Sequence, residues 1–590
     1  MELAAIYHRP ESEDAFLHSD GRLYLRLRTK KADAQKVYLI GGDPYLFTVD
    51  NWWREQRPMQ RVAQTLTHDY WEITVEPPHH RWQYGFVLES QTDTLFFGDR
   101  GAFPVSERVL TYANYYFRLP YLHAIDAYRA PTWASDTRWY QIFPERFANG
   151  NPSLSPTDVR DWSQESPTTS AFYGGDLQGI IDHLDYLAEL GINGLYLTPV
   201  FKAPSNHKYD TEDYFTIDPH FGDDETFQRF VDEAHHRGMR IMLDAVFNHI
   251  GDRSPQWQDV LQHEEKSRFK DWFHIESFPV QTGVNGNIEN EPTLSFDTFA
   301  FTTHMPKLNT ANPEVQDYLI SIATYWIEKF GIDAWRLDVA NEVDHHFWKK
   351  MKTALTAIKP DIYILGEIWH SAQRWLEGDE FHATMNYPYI ETINDYFIDK
   401  SIDEATLISG LNTQLMMYRK DTTAVMFNML DSHDTARVLS RMANDKQRLK
   451  QLLAFLFLQK GTPCLYYGTE VGLDGFNDPD CRKCMIWDEQ AQDKDLLAFT
   501  KNILSFRKQY NHLIQTGHLT WLDTPNELIG FTLKDEANQL TALFNRSPET
   551  RRYQQTAALK EARPIIGHFE TTTSHIQLQA NDFIVLEQSL

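Results

Sequence analysis

The sequence predicts an α/β fold, a (β/α)8 TIM barrel that carries an inserted domain and has a β-sandwich at each end of the chain. In the middle of the chain, mostly apolar runs typical of buried parallel strands alternate with helical segments. Several of these runs end in acidic residues, as strands do at the active face of a barrel. The 590 residues can hold a barrel of about 250 to 400 residues and two smaller domains.

Residues 1–123 are predicted to form the N-terminal β-sandwich. Short runs of β-branched and aromatic residues, separated by Asp, Gly and Pro turns, span residues 22–29, 36–41, 70–76 and 81–89. Similar runs return from about Asn511 to the end, so residues 511–590 are predicted to form a C-terminal β-sandwich. The barrel is assigned to residues 124–510.

Within the barrel region, the sequence indicates one clear helix start and one insertion. Asn312 can cap a helix, Pro313 suits its first turn, and Glu314 suits the positive end of the helix dipole. The alternation of strands and helices stops between about residues 250 and 304. Because structureless loops of that length are rare, this stretch is predicted to be a small inserted domain.

Three acids close predicted strands: Asp338, Glu367 and Asp434. Arg336 lies two residues before Asp338, and side chains alternate along a strand, so both should point to the same face. A neighbouring guanidinium lowers the pKa of an aspartate by about one to three units. We therefore expect Asp338 to be ionised and to act as a nucleophile.

Glu367 is the predicted proton donor. Its sequence neighbours Gly366, Ile368 and Trp369 include no cation, and such an apolar setting favours the protonated carboxyl. Cleavage of a glycosidic bond with retention needs this unequal pair of carboxyls, about 5 to 5.5 Å apart. One acid alone would more often be a helix cap or an ion pair. The motif DAVFNH at a fourth predicted strand, residues 244–249, favours the catalytic interpretation.

Short motifs in this chain resemble those of the α-amylase family of glycoside hydrolases. The resemblance to its signature regions covers residues 244–249, 331–342, 366–370 and 430–434, and that to its secondary regions covers residues 191–200, 305–309 and 461–470. The motifs MPKLN (305–309), VANE (339–342) and NHKYD (206–210) are similar to the corresponding motifs in one branch of the family. That branch contains cyclomaltodextrinases, neopullulanases and maltogenic amylases. The resemblance implies a barrel whose small domain B follows the third strand.

The resemblance also implies which residues bind the sugar. Tyr209 would stack beneath the sugar at the cleavage point, and His249 and His433 would hydrogen-bond its hydroxyls. The hydrogen bonds from His433 and Asp434 to the sugar hydroxyls would become stronger at the oxocarbenium-like transition state.

Further residues take supporting roles by the same resemblance. Asp244 would orient Arg336, and Phe299, Trp369 and Tyr387 match aromatic positions that line the acceptor and donor subsites. Asn341 and Glu342 lie in a region that the family uses near the acceptor and the hydrolytic water. The alternative for these last two residues, a polar start to the following helix, stays open.

A calcium site is implied but predicted to be weak or absent. Relatives often bind Ca²⁺ with residues that correspond here to Asn149, Asn151, Gly174 and Asp176. Leu154 and Ser155 stand where a further Asn and Asp would be expected. Calcium prefers several oxygen ligands, especially charged ones. No cofactor is needed for the chemistry.

Composition limits the partners and the compartment. A net charge of −27 argues against nucleic acid or an anionic membrane as partner. The N-terminus lacks the basic start and apolar core of a secretory signal, and residues 452–458 are too short to span a bilayer, so a cytoplasmic protein is expected. Cys464, Cys481 and Cys484 are predicted to be reduced thiols, without a zinc site.

The predicted function is a retaining hydrolase of cyclomaltodextrins, maltooligosaccharides and pullulan, with transglycosylation as a competing reaction. The alternatives are an oligo-α-1,6-glucosidase or transglucosidase, which the N-terminal strands and MPKLN disfavour, and a non-catalytic glycan-binding protein, which the three acids disfavour. A homodimer is expected, in which the N-terminal sandwich and its Tyr45 lean over the partner's barrel. A passive starch-binding module is the other possibility for that sandwich.

Overall fold

The computed structural model describes residues 1–18, 20–281, 294–555, 557–571 and 574–590. At its centre an eight-stranded sheet contains β1 (Trp139–Ile142), β2 (Gly194–Leu197), β3 (Arg240–Ala245), β4 (Ala334–Leu337), β5 (Tyr363–Gly366), β6 (Ala383–Thr384), β7 (Phe427–Met429) and β8 (Thr462–Tyr466). The strands are parallel, in the order β6-β5-β4-β3-β2-β1-β8-β7. Met385, directly after β6, pairs in parallel with Phe427 of β7. The sheet closes on itself, which confirms the predicted barrel.

Amphipathic helices connect the barrel strands. The longer ones are Leu177–Asp182, Leu184–Leu190, Asp224–His236, Pro313–Phe330, His345–Ile358, Tyr387–Phe397, Glu404–Met417, Lys446–Phe457 and Lys494–Thr516. The predicted start at Asn312 is confirmed, because its side-chain oxygen accepts a hydrogen bond of 2.9 Å from the amide of Glu314. Among the described residues, every helix is too short or too polar to cross a membrane.

The N-terminal part consists of two antiparallel sheets, and all four predicted runs are strands. One sheet contains Ala15–Leu17, Leu23–Lys30, Gln60–Gln64 and His68–Val75, and the other contains Lys36–Gly42, Arg57–Pro58, Trp82–Glu89, Thr94–Gly98, Gly101–Pro104 and Phe117–Leu119. Leu25 and Leu27 of the first sheet and Trp82 and Phe86 of the second belong to one buried cluster. Packing of the two inner faces makes this part a sandwich, as predicted.

The C-terminal part also has two sheets. They contain His518–Trp521, Leu528–Lys534, Asn538–Asn545, Arg563–Gly567 and Phe583–Ser589 in one, and Arg551–Gln554, Glu570–Thr571 and His575–Leu578 in the other. The predicted boundary at residue 511 falls inside the helix Lys494–Thr516, which stays continuous because Leu513 and Ile514 are still buried. The first strand of the sandwich begins at His518, just after this helix.

The segment between β3 and the helix Pro313–Phe330 contains the predicted insertion. The helix Pro255–His263 lies in it, and Trp257 of that helix packs on Phe273 and Phe296. Isolated pairing joins Ile275 to Phe296. The predicted limits of about 250–304 include residues 282–293, which lie outside the described residues, so these limits remain a prediction.

Candidate active site

Two of the three acids lie directly at the carboxyl ends of barrel strands, where the sequence predicted them, whereas the third lies further along its loop. Asp338 directly follows β4 and Glu367 directly follows β5, while Asp434 lies in the loop after β7. The amide of Asp338 donates to Ala245 at 3.0 Å, and that of Glu367 donates to Leu337 at 2.9 Å. These bonds continue the strand ladders, so the sheet itself fixes both acids.

One buried guanidinium joins the acids. Arg336 donates from Nη1 to Asp338 at 2.6 Å and to Asp244 at 2.9 and 3.0 Å, and its Nη2 lies 3.0 Å from Glu367 Oε1. Its side chain is fully buried. The single cation therefore faces three carboxyl groups, and their charges are not balanced by it alone.

The protonation of Asp338 differs from the expectation based on its sequence neighbour. Burial raises the pKa of Asp338 well above its usual value, and the charges of Glu367 and Asp244 raise it further, although Arg336 lowers it. Burial likewise raises the pKa of Asp244 to about 6, with Arg336 again opposing. The prediction that Arg336 would dominate was wrong, because burial and the other acids act against it. Burial and the neighbouring acids therefore favour the protonated forms of Asp338 and Asp244 in the free site.

The surroundings of Glu367 also differ from those expected. The sequence offers no cation beside it, but Arg336 arrives from the neighbouring strand. Trp369 Nε1 donates to the same Oε1 at 3.1 Å, and the amide of Val339 donates to Oε2 at 2.9 Å. Val339 has a φ of 46°, an unfavourable conformation for a β-branched residue, which directs this amide at the acid.

His433 is held as a neutral ring with a defined tautomer. Gln141 Nε2 donates to its Nδ1 at 2.7 Å, so the ring proton lies on Nε2, which faces the Tyr209 hydroxyl at 2.6 Å and Asp434 at 3.1 Å. The hydroxyl of Tyr209 in turn donates to Asp244 at 3.0 Å. Burial lowers the pKa of His433 well below its usual value, and the Arg482 cation lowers it further.

His249 has a polar atom without a partner. Its Nε2 is buried and has no hydrogen bond among the described residues, while Phe299 stacks on the ring at a centroid distance of 5.0 Å. Burial lowers the pKa of His249 to about 3. The neutral ring is therefore free to bond with a hydroxyl that enters the site.

A cavity of about 500 Å³ connects these groups. It is lined by His207, Tyr209, His249, Phe299, Met305, Asp338, Val339, Asn341, Glu342, Glu367, Trp369, Asp434, Asp478 and Arg482. Asp244, Arg336 and His433 lie behind this wall. Tyr387 does not line the cavity but stacks on Trp369 at 3.6 Å, with the ring planes 11° apart.

Sequence reasoning missed His207, Met305, Asp478 and Arg482 as cavity residues. Arg482 contacts Asp434 at 3.3 Å and Asp478 at 3.0 Å, and thus joins the loops after β7 and β8. Arg482 lies in the run CRKC, residues 481–484. Two adjacent cations in this run are a signal for a charged loop, but the sequence prediction rests only on its cysteines. His207 lies in NHKYD, beside the predicted Tyr209.

A chain of polar contacts through Lys307 and Asn248 connects Glu342 to His249. Lys307 Nζ donates to Glu342 Oε2 at 3.0 Å and also bonds to the side-chain oxygen of Asn248. The side-chain amide nitrogen of Asn248 lies 3.3 Å from His249 Nδ1. The position of Glu342 at the cavity wall agrees with the acceptor-side interpretation. The polar start to a helix also remains open, because Ala340–Glu342 form one short helical turn.

The four residues considered for calcium lie together but use their oxygens internally. Asp176 accepts three backbone bonds, from Gly150 at 3.1 Å, Asn151 at 2.7 Å and Gly179 at 2.6 Å. The Asn151 side-chain oxygen accepts from Ser153 at 2.6 Å. Among the described side chains of this set, the buried oxygen of Asn149 lacks a partner. This set does not fit the six to eight oxygens that Ca²⁺ takes.

No other metal site is apparent. Within the described residues, no group of three or more His, Cys, Asp or Glu side chains is arranged to hold a metal ion. Cys464, Cys481 and Cys484 are buried free thiols.

Comparisons with known proteins give a consistent result. A family model described as the catalytic domain of alpha amylase matches residues 141–515, and one described as the alpha amylase N-terminal Ig-like domain matches residues 1–123. The chain is 53% identical over 548 residues to an intracellular maltogenic amylase of Bacillus subtilis, covering 92% of this chain and 91% of that protein. It is 48% identical over 552 residues to a cyclomaltodextrinase of Geobacillus thermopakistaniensis, covering 93% and 92%. A solved structure named cyclomaltodextrinase matches 100% of both chains with a TM-score of 0.91 and 41% identity.

Proposed function

Because the chain belongs to the α-amylase family of glycoside hydrolases, we propose that it cleaves α-1,4-glucosidic bonds of cyclomaltodextrins and maltooligosaccharides with retention of configuration. The proposal extends to pullulan, and to transfer of the glycosyl group onto a sugar acceptor. One observation carries it: the Arg336 guanidinium contacts Asp338 at 2.6 Å and Glu367 at 3.0 Å, and both carboxyls face one cavity.

The shared guanidinium supports a retaining mechanism. Retaining glycosidases separate their two carboxyls by about 5 to 5.5 Å, whereas inverting ones leave about 6.5 to 9.5 Å for a water molecule. Two carboxyls in contact with neighbouring nitrogens of one guanidinium lie near each other. This proximity is compatible with direct attack by one acid, as the proposed retaining mechanism requires.

In the first step, Glu367 would give its proton to the glycosidic oxygen while Asp338 attacks the anomeric carbon. The bond from carbon to the leaving oxygen breaks, and a glycosyl ester forms on Asp338. The assignment of roles rests on the shorter Arg336 contact of Asp338, which stabilises negative charge there.

In the second step, Glu367 would take a proton from water, which attacks the same carbon and releases Asp338. Asp434 and the His249 Nε2 would bond to hydroxyls of the bound sugar, and those bonds strengthen as the ring flattens. His433 and Asp244 hold Tyr209 from behind through its hydroxyl. The Tyr209 ring is then fixed as a platform for the sugar.

Two aromatic residues support binding of glucose chains. Trp369 remains 43% exposed while Tyr387 stacks against its other face, so it can present a rigid surface to a sugar. Phe299 is similarly backed by His249. These platforms lie beside the acids, on the cavity wall.

Product analysis tests this function. The enzyme is incubated separately with β-cyclodextrin, maltotriose, pullulan and starch, and products are separated by chromatography. We expect maltose and glucose from the first two substrates, and an α-anomer as the first product in NMR. A β-anomer would contradict the retaining mechanism, and absence of cleavage of any glucan would contradict the proposed function.

Transfer to an acceptor would depend on Glu342. Lys307 holds its carboxylate at 3.0 Å, at the edge of the cavity where an acceptor or water must approach. Replacing Glu342 by Gln should change the ratio of transfer products to hydrolysis products while hydrolysis itself persists. An unchanged ratio would remove Glu342 from this role.

We also propose a homodimer, assembled through the N-terminal sandwich, in the cytoplasm. Tyr45 is 77% exposed and lies 4.7 Å from Arg81, and Val49 nearby is 70% exposed, which gives this sandwich an unpartnered apolar surface. The test is light scattering during size-exclusion chromatography of the full chain and of a variant lacking the residues before Ala124. A full-length monomer that favours cyclodextrin over starch would contradict the dimer.

A further inference from the structure

A second cavity, of about 790 Å³, opens at the end of the barrel opposite the catalytic acids. Its barrel wall comes from Asp136 before β1, Ala424 before β7 and Lys460 before β8, which are the amino ends of those strands. The N-terminal sandwich contributes Tyr24, and the C-terminal sandwich contributes His518. Three parts of the chain thus enclose one space that the proposed chemistry does not use.

The cavity is rich in basic residues, although the protein carries a net charge of −27. Its basic lining residues are His18, Arg22, Lys420, Lys460, Lys508, His512 and His518, and its acidic ones are Glu72, Asp136 and Asp421. A local excess of basic groups in an acidic protein is informative only if the acids present do not already neutralise them.

Two of these acids have cationic partners of their own. Glu72 contacts Arg26 at 2.8 Å, outside the cavity lining, and Lys420 at 2.5 Å. Asp136 lies 3.6 Å from Arg138, which also does not line the cavity. Each of these two acids is therefore shared with a cation outside the cavity lining.

The third acid is also engaged, because Asp421 contacts His18 at 2.6 Å. Arg22 contacts Asp20 at 2.5 Å, outside the cavity lining, so Lys460, Lys508, His512 and His518 remain. Lys460 donates only to backbone oxygens, at 2.8 and 3.0 Å, and has no carboxylate in contact among the described residues. The side chains of Lys508 and His518 have no hydrogen bond or ion pair within the described part of the chain.

Lys460, His518 and Lys420 repel one another electrostatically. Burial lowers the pKa of Lys460 to about 8, and the charge of Lys420 lowers it further, while Glu72 acts in the opposite direction. Burial also lowers the pKa of His518, together with the charges of Lys420 and Lys460, and Glu72 again opposes this. These groups therefore face the same space, and an anion placed there would relieve their mutual repulsion.

We propose that this cavity binds a small phosphate-bearing molecule, with its phosphate among Lys460, Lys508 and His518. The cavity volume lies within the range of about 300 to 1,000 Å³ typical of small-molecule sites. Gln509 and His512 also line the cavity and offer hydrogen-bonding groups for the rest of the ligand. The ligand class is an organic monophosphate such as a sugar phosphate.

Isothermal titration calorimetry with the full chain tests the proposal, using inorganic phosphate, glucose 6-phosphate and glucose at matched ionic strength. The test variant is Lys508→Gln combined with His518→Gln. The control is Lys501→Gln, on the same helix but outside the cavity, where Lys501 has only a 3.8 Å contact with Glu189. Unchanged cyclodextrin hydrolysis and melting temperature check that both variants are folded.

We expect both phosphates to bind the wild type and the control, glucose 6-phosphate more tightly, and glucose not to bind here. The double variant should bind both phosphates more weakly. Each dissociation constant should rise at least about tenfold, because charge-assisted bonds are lost. Equal phosphate binding by all three proteins would overturn the proposal, as would no phosphate binding at all. Heat from glucose equal to that from glucose 6-phosphate would also overturn it.

Discussion

Asp338 and Asp176 are both aspartates whose pKa is raised by burial, but their partners differ. Asp338 is bonded to the Arg336 side chain and shares it with two other acids. Asp176 is bonded to three backbone amides and caps the helix Leu177–Asp182. Backbone amides hold the Asp176 carboxyl in a structural role, as a helix cap. The Asp338 carboxyl instead shares a side-chain cation with other acids and lies at the wall of a cavity.

The surroundings of the two aspartates differ in the same way. Near Asp338, the His249 Nε2 has no partner among the described residues, and Trp369 presents an exposed ring to the cavity. Near Asp176, the oxygen of Asn149 is without a partner in that same part of the chain, and it is buried. The first region lines a cavity that a polar substrate can enter, whereas the carboxyl of the second region is held by backbone amides.

The largest effect should follow from changing the catalytic acids. Glu367→Gln removes the proposed proton donor and Asp338→Asn the proposed nucleophile, so each should lower kcat on β-cyclodextrin by at least about 10³-fold. Initial rates and circular dichroism are measured on both variants. A loss below about tenfold, roughly 1.4 kcal/mol of barrier, would be too small for either role.

The comparison supplies the control for that experiment. Asp176→Asn makes the same chemical change at the other buried aspartate, where it should lower the melting temperature by weakening the helix cap. Its kcat, measured well below that temperature, should stay within about twofold of the wild type, a change of under about 0.5 kcal/mol in barrier. A kcat as low as that of Asp338→Asn would show that the two regions are not functionally separate.

A smaller loss is expected at Tyr209. Tyr209→Phe keeps the ring but removes the hydroxyl that joins Asp244 to His433. Hydrogen bonds to charged groups contribute about 1.5 to 3 kcal/mol, so kcat/KM should fall by roughly 10 to 150-fold. Tyr186→Phe is the matched control, because its hydroxyl bonds to Glu470 away from the cavity. Equal effects in both variants would indicate a general loss of packing.

The raised pKa of Asp244 should also make the stability of the folded protein depend on pH. The pKa of Asp244 is raised to about 6 in the folded protein from an ordinary 3.8. A raised carboxyl pKa stabilises the fold at low pH, and this contribution is lost as pH rises through about 6. Asp244→Asn removes that dependence, so its melting temperature relative to the wild type should rise between pH 4 and pH 7. A constant difference would contradict the raised pKa.

The sequence predicted the strands and acids correctly because both depend on local patterns. Apolar runs marked β4 and β5, and the acids that follow them had to share one rim of the barrel. The arrival of Arg336 beside Glu367 could not be predicted, because it depends on the register of neighbouring strands. Arg482 was missed for a similar reason, since it reaches Asp434 from another loop. Burial, which decides the pKa of Asp338, is a property of the whole fold.

The smallest effect is expected at the considered calcium site. Since the oxygens of Asp176 are used by amides, chelation with EDTA should shift the melting temperature by no more than about 2 °C, the equivalent of under about 1 kcal/mol for a mid-sized domain. The loss in Asp176→Asn should likewise be the same with and without added calcium, because a helix cap needs no ion. Asn149→Ala, which removes the unpartnered oxygen, serves as a second probe of the site. A large drop with EDTA that calcium reverses, and that disappears in both variants, would mean that these side chains rearrange to bind the ion.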